Sequence, residues 1–288
     1  SLLSVPGLRR KTAEQIIAHK RKIQPLKIAQ DFRKSGIKLL GITDPEYPPL
    51  LKEITDPPHL LFVKGELRKE DQRAVAIVGT RRASRSGLLN TRWLAEKLAF
   101  AGLTIISGMA RGIDAAAHQG ALKAGGRTIA VLGCGVEVVY PPEHRKLKSE
   151  IEKQGAVISE FPPRMPPMGW HFPARNRIIS GLALGVVIAE AGEKSGALIT
   201  ADYALEQGRE VFVIPGNIRA QTSKGTHKLL KQGAKPVQGI EDILEELNLP
   251  IPPPETSKPP ICSPAEEKLY SVLDPEGKDI DKVIEETG

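Results

Sequence analysis

Cysteine is nearly missing from this 288-residue chain, and aromatic side chains make up only 4% of it. Two cysteines, Cys134 and Cys262, cannot build a disulfide framework or a cysteine-rich metal site. The six histidines, at 19, 59, 118, 144, 171 and 227, show no HxxxH or HExxH spacing. No apolar run is long enough to cross a membrane, and no signal-peptide pattern opens the chain. A reducing, cytoplasmic setting fits these absences, with no membrane partner, no metal and no cofactor expected. There is no GxxxxGK[ST], so nucleotide hydrolysis lacks its phosphate loop. There is no GxSxG, so no nucleophile elbow is marked.

Positive charge is present in modest excess, net +7, and is unevenly spread. Residues 1–40 carry net +8 and residues 265–288 net −5. A basic chain favours a polyanionic partner, although a solvated helical face explains the first stretch equally well.

Residues 1–45 read as a small helical domain. Val5-Pro6-Gly7-Leu8 followed by Thr12–Ile17 is similar to one unit of a helix-hairpin-helix, with Arg9 where the second glycine of the turn belongs. Five prolines between 45 and 58 predict an extended connection, and residues 60–65 a short edge strand. Residues 46–248 form the main domain. Within it, apolar runs at 74–78, 103–106, 128–132, 156–159, 186–189 and 210–214 alternate with helical stretches at 86–101, 112–124, 142–154, 195–207 and 224–232. Strands that are apolar throughout are buried on both faces, so the fold class is α/β, an extended Rossmann-like parallel sheet wrapped by helices. A proline-rich linker spans 249–263, and 264–288 begins a further helical segment.

Four of the strands end in turns rich in small residues and arginine. The first is Gly79-Thr80-Arg81-Arg82, where a glycine permits close approach and two guanidinium forks suit phosphate. The second is Ser107-Gly108-Met109-Ala110-Arg111-Gly112, running into Ile113-Asp114. Helix-starting N–H groups there attract an anion; Asp114 either caps that helix, holds a ribose hydroxyl or orients Arg111. The third, Gly133-Cys134-Gly135, is half a dinucleotide fingerprint, but position 138 is valine, so NAD is poorly supported. The fourth, Lys194-Ser195-Gly196, opens another helix and either holds a phosphate or packs against the sheet. Trp170-His171-Phe172-Pro173-Ala174-Arg175-Asn176-Arg177 interleaves rings that stack on bases with arginines that neutralise phosphates; the alternative is a core plug at a helix start. Asp114, Glu160 and Glu190 sit near strand ends and leave a carboxylate pair conceivable.

These motifs, together with Phe172-Pro173-Ala174-Arg175-Asn176-Arg177-Ile178-Ile179-Ser180-Gly181-Leu182, Ser195-Gly196-Ala197-Leu198-Ile199-Thr200-Ala201 and Gly208–Gly216, occur in the order of the DNA-processing protein A family, also called Smf, which the chain resembles. The resemblance implies single-stranded DNA binding and protection without catalysis. It also implies loading of the RecA recombinase in natural transformation and recombination, and homodimerisation. It implies a SAM-like domain before the sheet and a winged-helix domain after it, the latter cut short here. Its DNA pocket maps onto Gly79, Thr80 and Arg81, onto Ser107–Gly112 with Gly108 and Arg111, and onto Phe172–Arg177 with Arg175 and Asn176; Arg82, His171, Lys194, Ser195 and Gly196 join these DNA-binding candidates from the reading of their own segments. Arg81, Arg111, Arg175 and Arg177 take phosphates, and Phe172 stacks on a base with His171 adjacent. An enzyme reading stands beside it: the lysine-decarboxylase-like phosphoribohydrolases carry PGGxGTxxE after a strand. Residues 191–200 lack the doubled glycine and the spaced glutamate, for which Glu206, one helix further on, is the nearest candidate.

Overall fold

A computed structural model of the protein describes residues 5–22, 24–251, 272, 283 and 284. The expected linker beyond 251 and the helices starting at 264 and 280 lie almost wholly outside the described residues. Of the compact unit formed by 252–288, only Val272, Val283 and Ile284 are described, all helical.

The unit formed by residues 1–251 begins with helices α1 (Arg10–Lys22) and α2 (Pro25–Lys34). Then come β1 (Lys38–Gly41), α3 (Pro49–Lys52) and β2 (Leu60–Gly65). The alternating core follows as β3 (Ala74–Gly79), α4 (Arg85–Phe100), β4 (Thr104–Ser107), α5 (Ile113–Lys123), β5 (Thr128–Val131), α6 (Arg145–Gln154) and β6 (Ala156–Ser159). It ends with α7 (His171–Gly181), β7 (Gly185–Glu190), α8 (Gly196–Glu206), β8 (Glu210–Val213), α9 (Lys224–Lys231), β9 (Lys235–Pro236) and α10 (Glu241–Glu246).

The described strands form one sheet in the order β1-β2-β6-β5-β4-β3-β7-β8-β9. All pairings from β6 to β9 are parallel, while β1–β2 and β2–β6 are antiparallel. Alternation along β3 shows why its sequence is apolar throughout. Ala74, Ala76 and Val78 enter one core with Ile178, Ile179 and Ala201, and Val75 and Ile77 enter the other with Leu94, Leu98 and Ala117.

Three local expectations change. The sheet starts at Lys38, inside the segment assigned to the small helical domain, because Leu39–Gly41 pair with Leu60–Phe62. Strand β2 is therefore internal and β1 takes the edge. In α4, the apolar positions do not all face inward. Leu94 and Leu98 are buried, whereas Leu89, Trp93 and Phe100 are exposed.

Successive strands step outward from β3 to β6, and the chain then returns to the other flank of β3 to lay down β7, β8 and β9. The order thus reverses between β3 and β7. In such sheets this reversal opens a crevice beyond the carboxyl ends of the strands.

Candidate functional site

A cleft of about 690 Å³ occupies that crevice. Its floor is Val78–Arg82 from the end of β3, with Ala110 and Asp114 at the start of α5. One wall is α7 with Phe172, Arg175, Asn176 and Ile179, and the other is the start of α8 with Ser195, Gly196, Ala197, Ile199 and Thr200. Tyr140, Pro167 and Gly169 complete the rim. Sequence reasoning left these three out; the signal for Tyr140 was an aromatic placed just after the Gly133–Gly135 turn.

The turn after β3 is held open by its neighbours. The Thr80 amide donates to the Glu190 carbonyl at 2.7 Å, and the Glu190 carboxylate accepts from the Ser84 amide at 2.8 Å and from the Thr222 hydroxyl at 2.7 Å. Arg81 and Arg82 project from this turn, exposed. The Arg81 guanidinium carbon lies 5.2 Å from the centroid of the Phe172 ring, a cation–π distance. Tyr140 tilts against the same ring at 5.5 Å.

The turn after β4 has a different support. Arg175 is only 4% exposed. Its Nη1 donates to the Gly108 carbonyl at 2.9 Å and to the Val131 carbonyl. Burial lowers its pKa to about 10, against the opposing pull of Asp114, so it stays charged at neutral pH. Burial likewise raises the carboxyl of Asp114, with Arg175 opposing, and this carboxylate accepts from the Ala110 amide at 3.3 Å. It closes the loop ahead of α5 instead of capping the helix at the cap position. That position is Gly112 at φ +76°, where a side chain would be strained and would meet the Thr80 carbonyl. Ser107 is buried, donating to the Ile77 carbonyl at 2.6 Å.

The structure therefore gathers Gly79, Thr80, Arg81, Arg82, Phe172, Arg175, Asn176, Ser195 and Gly196 around one cleft. Asn176 spans it, donating to the Gly196 carbonyl at 3.2 Å. Gly108 and Arg111 line a small adjoining recess with Tyr140 and Phe172. Arg111 is exposed there and pairs with Glu143. Ser107 and Gly112 shape the turn from below, and Lys194 is exposed outside the cleft lining.

Two expected contacts are placed elsewhere. His171 is buried, stacked on Phe161 at 3.9 Å and bonded through Nδ1 to the Gly133 carbonyl, because the first turn of α7 points it inward. Arg177 faces away from the cleft, where both its Nη atoms bond Glu160 at 2.8 and 2.7 Å and its Nε bonds Asp56 at 3.0 Å. Burial works against its charge, yet those carboxylates hold its pKa above the ordinary arginine value.

The carboxylates at strand ends all have internal partners: Asp114 the Ala110 amide, Glu160 Arg177, and Glu190 Ser84 and Thr222. Glu206 is the last residue of α8, about 15 Å along the helix from Gly196. Among the described residues no cluster of His, Cys, Asp and Glu suits a metal ion, and no helix is long and apolar enough to cross a membrane.

The order of strands, the arginine-bearing turns and the cleft can be compared with known proteins. The family model for DNA recombination-mediator protein A matches residues 38–248. The chain belongs to this family. The match starts where β1 does, so it takes in the antiparallel edge of the sheet. Family relatives include DNA processing protein DprA of Bacillus subtilis (strain 168), 42% identical over 85% of this chain and 85% of the relative. Protein Smf of Escherichia coli (strain K12) is 46% identical over 84% of this chain and 67% of the relative. Among solved family structures, DNA processing protein A from Streptococcus pneumoniae superposes with a TM-score of 0.76 at 42% identity, covering 83% of each chain. The protein of that name from Helicobacter pylori, described for its single-stranded DNA binding mode, gives a TM-score of 0.66 at 31% identity. That alignment covers 74% of this chain and 97% of the other.

Proposed function

We propose that the cleft binds a single DNA strand by its phosphates and a stacked base, and that the protein protects the strand and hands it to a recombinase. The observation that carries this reading is the pairing of Arg81 with Phe172 at the mouth of the crevice between β3 and β7. A guanidinium lying over an aromatic ring brings a phosphate-binding group and a base-stacking surface together, which suits the phosphates and bases of an unpaired strand. The amino ends of α5 and α8, which both reach the cleft lining, add the positive potential of a helix start to the same crevice. The described single-strand binding of the Helicobacter pylori relative supports the ligand class. Binding without turnover fits carboxylates that are already engaged internally. RecA loading in transformation and recombination, homodimerisation and a cytoplasmic location belong to the same reading, supported by family membership. Leu229 and Leu230 of α9 suit either a dimer surface or core packing by sequence; both pack on the core, Leu229 buried and Leu230 partly so.

Titrating labelled oligo-dT and a duplex of equal length at two salt concentrations tests the proposal. The expected result is tighter binding of the single strand, with log K falling by about 0.7 per log unit of salt for each phosphate neutralised. Equal affinity for the duplex, or no salt dependence, would overturn it.

A further inference from the structure

The outer face of α4 carries apolar side chains where a solvated helix carries polar ones. Thr91, Leu94, Ala95 and Leu98 face the sheet, and on the opposite side Leu89, Trp93 and Phe100 are 54%, 46% and 63% exposed. Arg85, Leu89 and Trp93 are four residues apart and share one stripe. The stripe is continuous with the cleft. Arg82 lines the cleft and α4 starts at Arg85. Ser84 between them is fixed through its amide to Glu190 and through its hydroxyl to the Gly87 amide.

Halfway down the stripe, Trp93 and Asn90 form one wall of a hollow of about 300 Å³ whose other wall is Ile214, Pro215, Val237 and Gln238. The loop beyond Pro215 presents Arg219, exposed. Among the described residues no ion pair includes Arg82, Arg85 or Arg219. The patch therefore joins an exposed indole, unpaired guanidinium groups and amide side chains able to bond base edges.

We propose that a DNA strand held in the cleft leaves it over Arg82 and Arg85 and continues along α4, with one base stacked on Trp93 in the hollow beside Pro215. This rests on the single-strand reading of the cleft. Unpaired guanidinium groups at the cleft end of the stripe and on the loop across the hollow favour a nucleic acid, whose phosphates would pair them, over a second copy of the chain.

Trp93 and Trp170 are the two tryptophans, so a Trp170→Phe background reports Trp93 fluorescence alone. Oligo-dT of about 4 and about 16 nucleotides, the range of typical single-strand site sizes, would be titrated into it. Quenching is expected with the long oligomer and not with the short one. Adding Trp93→Ala is expected to weaken the long oligomer roughly tenfold and to leave the short one unchanged, with Trp93→Phe retaining most of the affinity. An unchanged long-oligomer affinity in Trp93→Ala, without quenching in the background, would overturn the track while leaving the cleft intact. A change of sedimenting mass in place of a change in affinity would overturn it in favour of a second copy. If neither oligomer binds the unsubstituted protein, the cleft reading itself fails and takes the track with it.

Discussion

The guanidinium of Arg175 fills the space that a side chain at Gly108 would need: a Cβ built there would lie 2.6 Å from both Nη atoms. The arginine donates to the Gly108 carbonyl at the same place. This makes Arg175 a brace for the turn after β4 more than a hand held out to a ligand.

Gly108→Ala is accordingly expected to destabilise the fold by about 1–3 kcal/mol, the range for overpacked cores, and to weaken oligonucleotide binding. Arg175→Ala is expected to do the same by leaving the Gly108 and Val131 carbonyls unpaired. In both, the salt dependence of binding should keep its slope. Chemical denaturation and salt-dependent titration measure the two effects. A slope shallower by about 0.7 in Arg175→Ala would show a direct phosphate contact instead.

Arg81 is exposed and held only over the Phe172 ring, so its removal should act in the opposite way. Arg81→Ala should leave the unfolding midpoint within the usual surface range of about 0.5 kcal/mol. The same variant should lower single-strand affinity and flatten the salt slope by about 0.7 per lost phosphate. Fluorescence anisotropy at several salt concentrations reads both.

For Arg177 the expected loss is in stability. Its side chain and that of Glu160 are largely sequestered, and Arg177→Ala strands that carboxylate. A cost of about 3 kcal/mol, the lower end for a broken buried pair, is expected in a urea denaturation series. The salt slope of DNA binding should not move, since Arg177 lies outside the cleft lining.

Acid stability should depend on His118. Its Nδ1 lies 2.7 Å from the Thr128 hydroxyl, which itself donates to the Ile105 carbonyl, so the imidazole is the donor between them. Burial lowers its pKa to about 3, with His144 and Arg175 adding to the effect. The unfolded chain therefore binds a proton below about pH 6.5 that the native state refuses. Stability should fall on acidification from there, by up to about 1.4 kcal/mol per pH unit. Asp114, with a raised folded-state pKa, contributes with the opposite sign. Denaturation midpoints of the parent and His118→Gln at pH 7 and 5 separate the two, because only the histidine's share disappears in the variant.

The alternation of apolar strands and helices was legible because each parallel strand is buried on both faces, which leaves an unbroken signal such as Ala74–Gly79. The starts of α4, α8 and α9 fell within a residue of the sequence reading. Strand β1 was not legible: four residues, one of them a lysine, follow two basic helices and acquire their pairing only from Leu60–Gly65 some twenty positions on. The arginines gave the least direct signal. Arg81, Arg175 and Arg177 belong to motifs of the same flavour, yet one reaches solvent, one braces a loop and one meets Glu160. The difference lies in which carbonyls and carboxylates the tertiary fold brings to each, and a linear pattern does not contain that. Trp93 and Phe100 likewise share a helical period with Leu94 and Leu98 without sharing their face.

The cleft is assembled from the turn at 79–82, the first turns of α7 at 172–176 and the start of α8 at 195–200, which follow different strands and meet only when the central strands are in register. Whatever occupies it therefore stitches together segments over a hundred positions apart. Occupancy should then defend the entire assembled sheet against proteases and heat in proportion to ligand concentration, and no excised fragment of one strand and its loop should retain the grip.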